Sequence, residues 1–163
     1  NLHRMISDLL RELPASTAPE LARLGLFGAY HQVVEGELQG AFDEVTWRIS
    51  PEAEERARKI PELQMEIIYY AGREVLRNAA RHGRDRRSGA PLEICVNAAW
   101  ESGLILSIED DGVGLNGSPS PSSSGQGLTL HSTMMAVIGG SLSVESTPGV
   151  STKVVLRWLN VED

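Results

Sequence analysis

The stretch REVLRNAARHG, residues 73–83, decides the fold, because it has helical periodicity but carries polar side chains on one face. Glu74, Asn78 and His82 recur at steps of four residues, a spacing that brings side chains onto the same side of a helix. Asn78 is a mediocre residue for a helix interior, since asparagine usually prefers caps and turns. The stretch therefore predicts a helix whose polar face has a purpose other than helix stability.

The apolar residues of the preceding turns show which way this face points. At about 100° per residue, Ala71 and Ile67 share the arc of Glu74 one and two turns earlier in the helix. A polar group that faces inward costs a few kcal/mol unless it is paired, so Glu74 and Asn78 are expected to border a cavity or bind a ligand. A carboxylate and an amide oxygen one turn apart suit Mg²⁺, whereas the alternative is a structural Asn bonded to neighbouring backbone.

Arginines crowd around the end of this helix. They are Arg73, Arg77, Arg81, Arg84, Arg86 and Arg87. One interpretation is that they are cations placed favourably near a helix C-terminus, and the other is a local anion site. We favour the anion site only for Arg81, which lies close to the polar face of the helix.

The N-terminal third is expected to be mainly helical. Apolar residues at helical spacing predict a short amphipathic helix over residues 2–13, followed by the linker ASTAP. A second helix is expected from Pro19 or Glu20 to about residue 38. The alternation in DEVTWRIS predicts a strand, and PEAEERARKIP is a charged connection of one or two helical turns.

The remainder contains two more helices and four more strands. The helix of the opening stretch is expected from about Pro61 to His82, with Gly83 placed to end it, and a later helix from about Leu128 to Ile138. The polar stretch NGSPSPSSSG predicts a mobile loop before the later helix. The four strands are PLEICVNAAW, GLILSIED, SLSVES and TKVVLRW. We expect an α+β two-layer sandwich, with a mixed, mostly antiparallel sheet and helices on one face.

Length, charge and cysteine content limit the classes of protein that this sequence fits. Its 163 residues make one ordinary domain, and its net charge of −7 disfavours nucleic acid or an anionic membrane as a partner. The single cysteine, Cys95, lies in the apolar run LEICV and indicates a reducing compartment, so a cytoplasmic location is expected. No apolar stretch approaches the roughly 20 residues that span a bilayer, so no direct membrane contact by this fragment is expected.

A first glycine-rich segment follows the strand LILSIED. That strand ends in Asp110, and Asp111-Gly112-Val113-Gly114 comes next. The glycines allow a ligand to approach the backbone closely, and the carboxylate can accept a hydrogen bond from an exocyclic amine such as that of adenine. The same DxGxG pattern also describes many exits from a strand into a turn.

A second glycine-rich segment, Gly125-Gln126-Gly127-Leu128, is expected to open a helix after the mobile loop. Backbone N–H groups and the positive end of the helix dipole favour phosphate at such a place. The alternative is a hinge between loop and helix without a ligand.

In their order along the chain, these segments resemble the ATP-binding domain shared by histidine kinases, gyrase, the Hsp90 chaperones and the MutL repair proteins. The likeness covers about residues 60–159 and implies the Bergerat ATP-binding fold. The N-terminal third resembles sensor kinases of the nitrate-sensor type, mainly at the LGL step of residues 24–26. Four segments carry the likeness: REVLRNAARHG as the N box, EDDGVGL and GQGLTLH as the two glycine boxes, and GGSLSVESTPGVSTKVVL as the closing hairpin.

The resemblance implies a role for each matching residue around Mg²⁺ and adenine. Asn78 would coordinate the Mg²⁺ that bridges the ATP phosphates. Glu74 would assist at the metal, directly or through water, or polarise water. Asp110 would bind the adenine amino group, with Gly112 and Gly114 under the base.

The other implied roles concern the phosphates and the far side of the adenine site. Arg81 takes the place of a phosphate-contacting basic residue, and His82 would pack near the ribose or phosphates rather than act as a base. Thr152 would support the adenine site through water. Three residues of the second glycine box would meet the phosphates as the loop closes: Gly125, Gly127 and Leu128.

The implied function is that of the Mg-ATP-binding catalytic domain of a two-component sensor histidine kinase. Residues 1–14 would be the tail of an upstream dimerisation helix, and residues 15–163 the ATPase domain. The implied partners are the dimerisation domain of the same homodimeric protein and a response regulator. Two alternatives stay open: a serine kinase of the anti-sigma-factor type, and an ATP-binding regulatory module that does not hydrolyse ATP.

The histidines of this chain bear on where phosphate would go. None of them lies in the His-Asp or His-Glu context that the family uses for phosphoryl transfer, so the acceptor histidine is expected on the upstream dimerisation domain. The four are His3, His31, His82 and His131.

Overall fold

A single sheet forms one layer of the protein in the computed structural model, which describes residue 4 and residues 17–82, 91–112, 121–147 and 150–160. Its five strands are β1 (Glu44–Ile49), β2 (Glu93–Trp100), β3 (Gly103–Asp110), β4 (Gly140–Thr147) and β5 (Ser151–Leu159). They lie in the order β1-β2-β3-β5-β4. β1 is parallel to β2, and the other neighbouring pairs are antiparallel, which confirms the mixed, mostly antiparallel sheet.

The second layer consists of helices. They are α1 (Thr17–Gln32), α2 (Pro51–Ala57), α3 (Glu62–His82) and α4 (Pro121–Val137). A five-residue π-helix, Val33–Glu37, continues directly from α1. α2 begins with Pro51 after the cap residue Ser50, whose hydroxyl accepts a hydrogen bond from the Ala53 N–H at 3.0 Å. The predicted helical turns in this connection are therefore confirmed.

The core lies between the sheet and the helices because alternate residues of the strands face the helical layer. On β3, Leu104, Leu106 and Ile108 are almost fully buried on this face, while Ser107 and Glu109 point to the other. The register places Val96 and Leu156 on the same face of the two neighbouring strands. Helix α3 covers this face with a stripe of fully buried residues: Ile67, Ile68, Ala71 and Leu76.

Helix α1 packs against α3 through a close approach at Gly72. Tyr30 of α1 is completely buried, and its hydroxyl donates to the Ile68 carbonyl at 2.7 Å. A Cβ atom at Gly72 would overlap the Tyr30 hydroxyl oxygen, so only glycine leaves room for the ring. This contact fixes α1 against α3.

The N-terminal third departs from the prediction in two ways. α1 begins at Thr17, inside the predicted linker ASTAP, and Gly25 interrupts it with φ 75° and ψ 171°. The interruption falls at the LGL step and divides α1 into two short helices, which glycine permits because it lacks a Cβ atom. Most of the helix predicted over residues 2–13 lies outside the described residues, with Arg4 the exception.

Helix α4 begins seven residues earlier than its predicted start at Leu128. Residues 121–125, which were predicted to belong to a mobile loop, are helical, and the rest of that stretch lies outside the described residues. Pro121 suits the first turn, since its fixed φ matches the helix. The other end of α4 is anchored by Met134 and Met135, both fully buried, so packing outweighs the poor helix propensity of the serines and glycines.

The direction of α4 relates its glycines to the sheet. Ile138, just after α4, accepts a hydrogen bond from the Trp158 indole at 3.1 Å, and Trp158 pairs with Leu104 at the start of β3. Gly127 lies ten residues before the end of α4, or about 15 Å at 1.5 Å per residue. Since α4 packs along β4, Gly127 lies toward the opposite end of the strands, the end at which β3 finishes in Asp110.

Candidate functional site

Asp110 ends β3 and faces the helical layer. Only 7% of its surface is exposed, and it is the one charged residue among the buried residues that the structure describes. The Gly112 N–H donates to its Oδ1 at 2.9 Å. Thr152 of β5 stands directly opposite Asp110 in the antiparallel register, so the two side chains share one face about 5 Å apart. The structure thus brings together the carboxylate and the hydroxyl that sequence resemblance assigned to an adenine site.

Burial raises the pKa of the Asp110 carboxyl from its ordinary value of 3.8 to about 6. The Gly112 N–H opposes this rise in pKa, and the nearby carboxylates of Asp111 and Glu109 add to it. Among the described residues, only the Gly112 N–H donates to this carboxylate, which leaves it with acceptor capacity in a poorly solvated place. A ligand that donates an N–H to Asp110 would therefore be favoured here.

Asp111, the next residue, has a structural role. Its Oδ1 accepts a hydrogen bond from the Glu93 N–H at 2.7 Å, and its own N–H donates to the Glu93 carbonyl at 3.2 Å. These bonds tie the end of β3 to the start of β2. They hold the backbone on which Asp110 is placed.

The polar face of α3 points inward, as its sequence predicts. Ile67 and Ala71 on the same arc are fully buried, and the Glu74 side chain is only 17% exposed. The Asn78 Nδ2 atom is buried without a hydrogen-bond partner among the described residues. An unpaired amide in the interior costs free energy, so the face is arranged for something besides the packing of the fold.

Arg81 joins the two polar residues of this face. Its Nη2 lies 2.9 Å from the Asn78 Oδ1 and 3.2 Å from the Glu74 Oε1. The two oxygens therefore converge on one cation. The carboxylate and the amide oxygen thus face one cation together, and both are the hard oxygen donors that Mg²⁺ prefers.

The other two described arginines of α3 are held elsewhere. Arg73 contacts the Glu37 carboxylate at 2.9 Å, and Arg77 contacts it at 3.3 Å. Glu37 ends the π-helix, so this ion-paired cluster connects α1 with α3. Arg77 also lies 3.9 Å from Glu74. Arg73 and Arg77 are therefore structural partners of Glu37, and the assignment of Arg81 to an anion site stays a prediction.

Helix α4 covers Glu74 through Gly127. A Cβ atom at Gly127 would lie 2.9 Å from the Glu74 Oε1 and 3.4 Å from its Cγ. Only glycine lets the two helices approach this closely without moving the carboxylate. Because Gly127 lies toward the end of the strands at which Asp110 stands, the polar face of α3 and the buried carboxylate of β3 border the same end of the interior.

His131, one turn after Gly127, belongs to the same region but was not assigned a role from the sequence. Its Nδ1 is buried without a hydrogen-bond partner among the described residues. Burial lowers the pKa of His131, the Glu74 carboxylate opposes this, and Arg73 adds to the lowering. A lone histidine in an apolar helix is ordinarily a core residue, and only the contact of α4 with α3 shows that it lies near Glu74.

Within the described ranges, no group of three or more His, Cys, Asp or Glu side chains could hold a metal ion. A metal at Glu74 and Asn78 would take its other ligands from water or from a bound substrate, as Mg²⁺ commonly does in proteins. Separately, no helix among the described residues is long and apolar enough to cross a membrane.

The family profile described as histidine kinase-, DNA gyrase B-, and HSP90-like ATPase matches residues 65–163. The chain belongs to this family. The match begins within α3 and covers every residue that the sequence resemblance assigned to the site. Membership supports ATP binding by this ATPase domain. A comparison with curated proteins found no match.

The ATPase domain has the fold of histidine kinase catalytic domains. It is similar to the histidine kinase domain of a blue-light-activated kinase, EL346 of Erythrobacter litoralis, with 20% identity, a TM-score of 0.59 and coverage of 88% of this chain and 59% of that one. For full-length ShkA in complex with AMPPNP the identity is 17%, the TM-score 0.58 and the coverage 82% and 29%. For the histidine kinase AdeS of Acinetobacter baumannii the identity is 13% and the TM-score 0.53, with coverage of 88% of this chain and 65% of that one. The chain thus spans about three fifths of the first relative.

The second glycine box of this ATPase differs from its prediction. It was expected to open a helix, but Gly125 and Gly127 lie inside α4, beyond its first four residues. Only the first four N–H groups of a helix lack an internal partner, so phosphate cannot use those of Gly125 and Gly127 while α4 has this form. Leu128 is half-buried and packs against the core.

Two predicted site residues lie wholly or partly outside the described part of the chain. His82 is the last residue of α3, and its side chain lies outside the described part of the chain. Gly114 also lies outside it, as does Gly83, the predicted end of the helix. Their proposed roles stay predictions.

Proposed function

We propose that this ATPase domain binds Mg-ATP and is the catalytic domain of a two-component sensor histidine kinase. It would donate the γ-phosphate of ATP to a histidine on an upstream dimerisation domain. The observation that carries the proposal is the convergence of the Glu74 and Asn78 oxygens on one cation, at the end of the interior where Asp110 is buried. Family membership and the fold of histidine kinase catalytic domains support it.

In this proposal the adenine ring lies at the end of β3. The Asp110 carboxylate accepts a hydrogen bond from the adenine amino group, and the Thr152 hydroxyl on the neighbouring strand supports the site through water. Gly112 has no side chain, so the base can approach the backbone there, and Gly114 is assigned the same role. The buried carboxylate distinguishes adenine from guanine, because guanine carries a carbonyl where adenine carries its amine.

The phosphates would lie between α3 and α4. Asn78 and Glu74 are the residues that would hold Mg²⁺, and the ion supplies charge neutralisation for phosphoryl transfer. Helix α4 covers the Glu74 carboxylate closely at Gly127, and Glu74 would assist at the metal or polarise water. Among the described arginines of α3 we assign Arg81 to the phosphate oxygens, since Arg73 and Arg77 are engaged by Glu37.

This proposal also includes a homodimeric full-length protein and a response regulator that receives the phosphate. Residues 1–14 would be the tail of the dimerisation helix that precedes the ATPase domain of residues 15–163. So is a cytoplasmic location, which the free thiol of Cys95 supports. A serine kinase of the anti-sigma-factor type would use a small antagonist protein as acceptor instead. A regulatory module would bind ATP and not consume it.

A single-turnover transfer experiment distinguishes the histidine kinase, the serine kinase and the regulatory module. The domain is incubated with radiolabelled Mg-ATP and with the full-length protein's own dimerisation hairpin, supplied as a separate chain. We expect acid-labile, alkali-stable label on the hairpin, which is typical of phosphohistidine. The same reaction with Asn78→Ala should give no transfer, whereas Asn97→Ala, an equivalent change on the other face of β2, should transfer normally. Acid-stable label would indicate a serine kinase, and ATP binding without any transfer would indicate a regulatory module.

A further inference from the structure

One nitrogen atom of Arg81 contacts both oxygens that are proposed to hold the metal. The Nη2 lies 2.9 Å from the Asn78 Oδ1 and 3.2 Å from the Glu74 Oε1. Magnesium would need to stand about 2.1 Å from the same oxygens. A guanidinium and a divalent cation cannot occupy this place together, because their positions overlap and their charges repel each other.

We propose that Arg81 is a built-in cation that fills the metal position while nucleotide is absent and leaves when the triphosphate arrives. Arg81 is then a positioning residue that couples metal binding to nucleotide binding. This inference rests on the proposed function, since it concerns the same site. It goes further by stating that the empty protein excludes the metal and by naming the residue that does so.

The empty site has a reason to need such a cation. Glu74 is largely covered by Gly127 of α4, and the Asn78 amide nitrogen beside it has no partner among the described residues. A covered carboxylate without a counter-ion is costly. Arg81 supplies the counter-ion, while Arg77 contributes only at 3.9 Å and is already shared with Glu37.

Arg81 is also the arginine of α3 that is free to move. It lies in the last turn of the helix and its side chain is half exposed. Among the described residues it bonds only to Glu74 and Asn78, so no third group holds it in place. Arg73 and Arg77 are anchored on Glu37 of the π-helix and would remain there.

A triphosphate offers Arg81 a stronger partner than the one it has. Guanidinium binds phosphate oxygens through two parallel charge-assisted hydrogen bonds, whereas here a single nitrogen serves both acceptors. When Arg81 turns to the phosphates, the oxygens of Glu74 and Asn78 become available to the Mg²⁺ that the nucleotide carries. The metal therefore enters with the nucleotide and not before it.

The test measures metal binding in the absence of nucleotide. Mn²⁺, a paramagnetic substitute for Mg²⁺, is titrated into the nucleotide-free protein, and free Mn²⁺ is followed by electron paramagnetic resonance. We expect Arg81→Gln to bind Mn²⁺ about tenfold more tightly than the wild type, because a unit charge beside the site is removed. Arg81→Lys keeps the charge and should stay near the wild type. Arg157→Gln, the same change on the exposed face of β5, should have no effect.

Two further measurements make the outcome decisive. The double variant Asn78→Ala/Arg81→Gln should lose the gain in Mn²⁺ affinity, which shows that the gain arises at this site, and circular dichroism confirms that each variant is folded. Equal Mn²⁺ affinity of the wild type and Arg81→Gln, in a protein that binds Mg-ATP, would overturn the proposal for Arg81 alone. Failure of the wild type to bind Mg-ATP at all would instead overturn the proposed function and this inference with it.

Discussion

Replacing Asp110 with asparagine should stabilise the free protein while weakening its binding of ATP. The carboxylate is buried, and its pKa is raised from 3.8 to about 6. A difference of about two pKa units corresponds to about 3 kcal/mol against the ionised form in the folded state. Asparagine removes this penalty and keeps an oxygen for the Gly112 N–H. Its buried amide nitrogen can donate to the Thr152 hydroxyl but costs part of the gain, so we expect a net stabilisation of about 1–2 kcal/mol at pH 7.5.

The pH dependence of this effect has a definite sign. Because the folded-state pKa of Asp110 is raised, the folded protein binds the proton more tightly than the unfolded chain between pH 3.8 and about 6. The contribution of Asp110 to the free energy of unfolding therefore falls as pH rises through this window and stays low above it. Asn at the same position does not titrate. The penalty that the substitution removes should be about half as large at pH 5 as at pH 7.5 and should vanish below pH 3.8.

Urea denaturation at the two pH values measures this difference. The matched control is Glu109→Gln, which changes an exposed carboxylate on the other face of the same strand and should alter the free energy of unfolding by less than about 0.5 kcal/mol. Calorimetry with ATP should show the opposite trend for Asp110→Asn, with affinity reduced about tenfold or more through loss of a charged acceptor. The reasoning would be refuted if Asp110→Asn were less stable than the wild type at pH 7.5, or if the difference in free energy of unfolding between the two proteins were the same at both pH values.

Three further outcomes are expected. Gly127→Ala should stabilise α4 by about 0.5–1 kcal/mol through helix propensity, so the thermal unfolding temperature should rise. The same change should displace the Glu74 carboxylate and lower the affinity for Mg-ATP. Unchanged affinity would show that the close approach of α4 does not serve the site. ATP affinity of the wild type should decline as pH drops through about 6, where Asp110 takes up a proton, and Asp110→Asn should lack this component, which separates it from protonation of ATP itself. Gly72→Ala should lower the free energy of unfolding by more than about 1 kcal/mol in chemical denaturation, because its Cβ would overlap the buried Tyr30 hydroxyl.

The polar face of α3 could be predicted from sequence because the helix is long and its period is regular. Ile67, Ala71 and Glu74 share one arc, and the arc determines that Glu74 and Asn78 face inward. The burial of Asp110 at the end of β3 could also be predicted from sequence, since alternation along GLILSIED places it on the buried face. Its position opposite Thr152 follows from the strand order and register, which the closing hairpin only suggests.

What sequence could not supply are contacts between distant elements. Sequence predicts too late a start for α4 because serine and glycine are poor helix formers, and the buried methionines at its other end outweigh them. From sequence alone, His131 is an ordinary core histidine. Its position near Glu74 follows only from the packing of α4 against α3. The pairing of Glu37 with Arg73 joins residues 36 positions apart, and no local pattern specifies it.

Calorimetric titration of ATP into the protein, with and without Mg²⁺, tests the central claim most directly when wild type, Asn78→Ala and Asp110→Asn are compared. We predict that Mg²⁺ strengthens ATP binding to the wild type, that Asn78→Ala removes this strengthening, and that Asp110→Asn keeps it while weakening ATP relative to GTP. Equal Mg²⁺ dependence in wild type and Asn78→Ala, together with an unchanged preference for ATP in Asp110→Asn, would contradict a site in which these two residues hold opposite ends of one nucleotide.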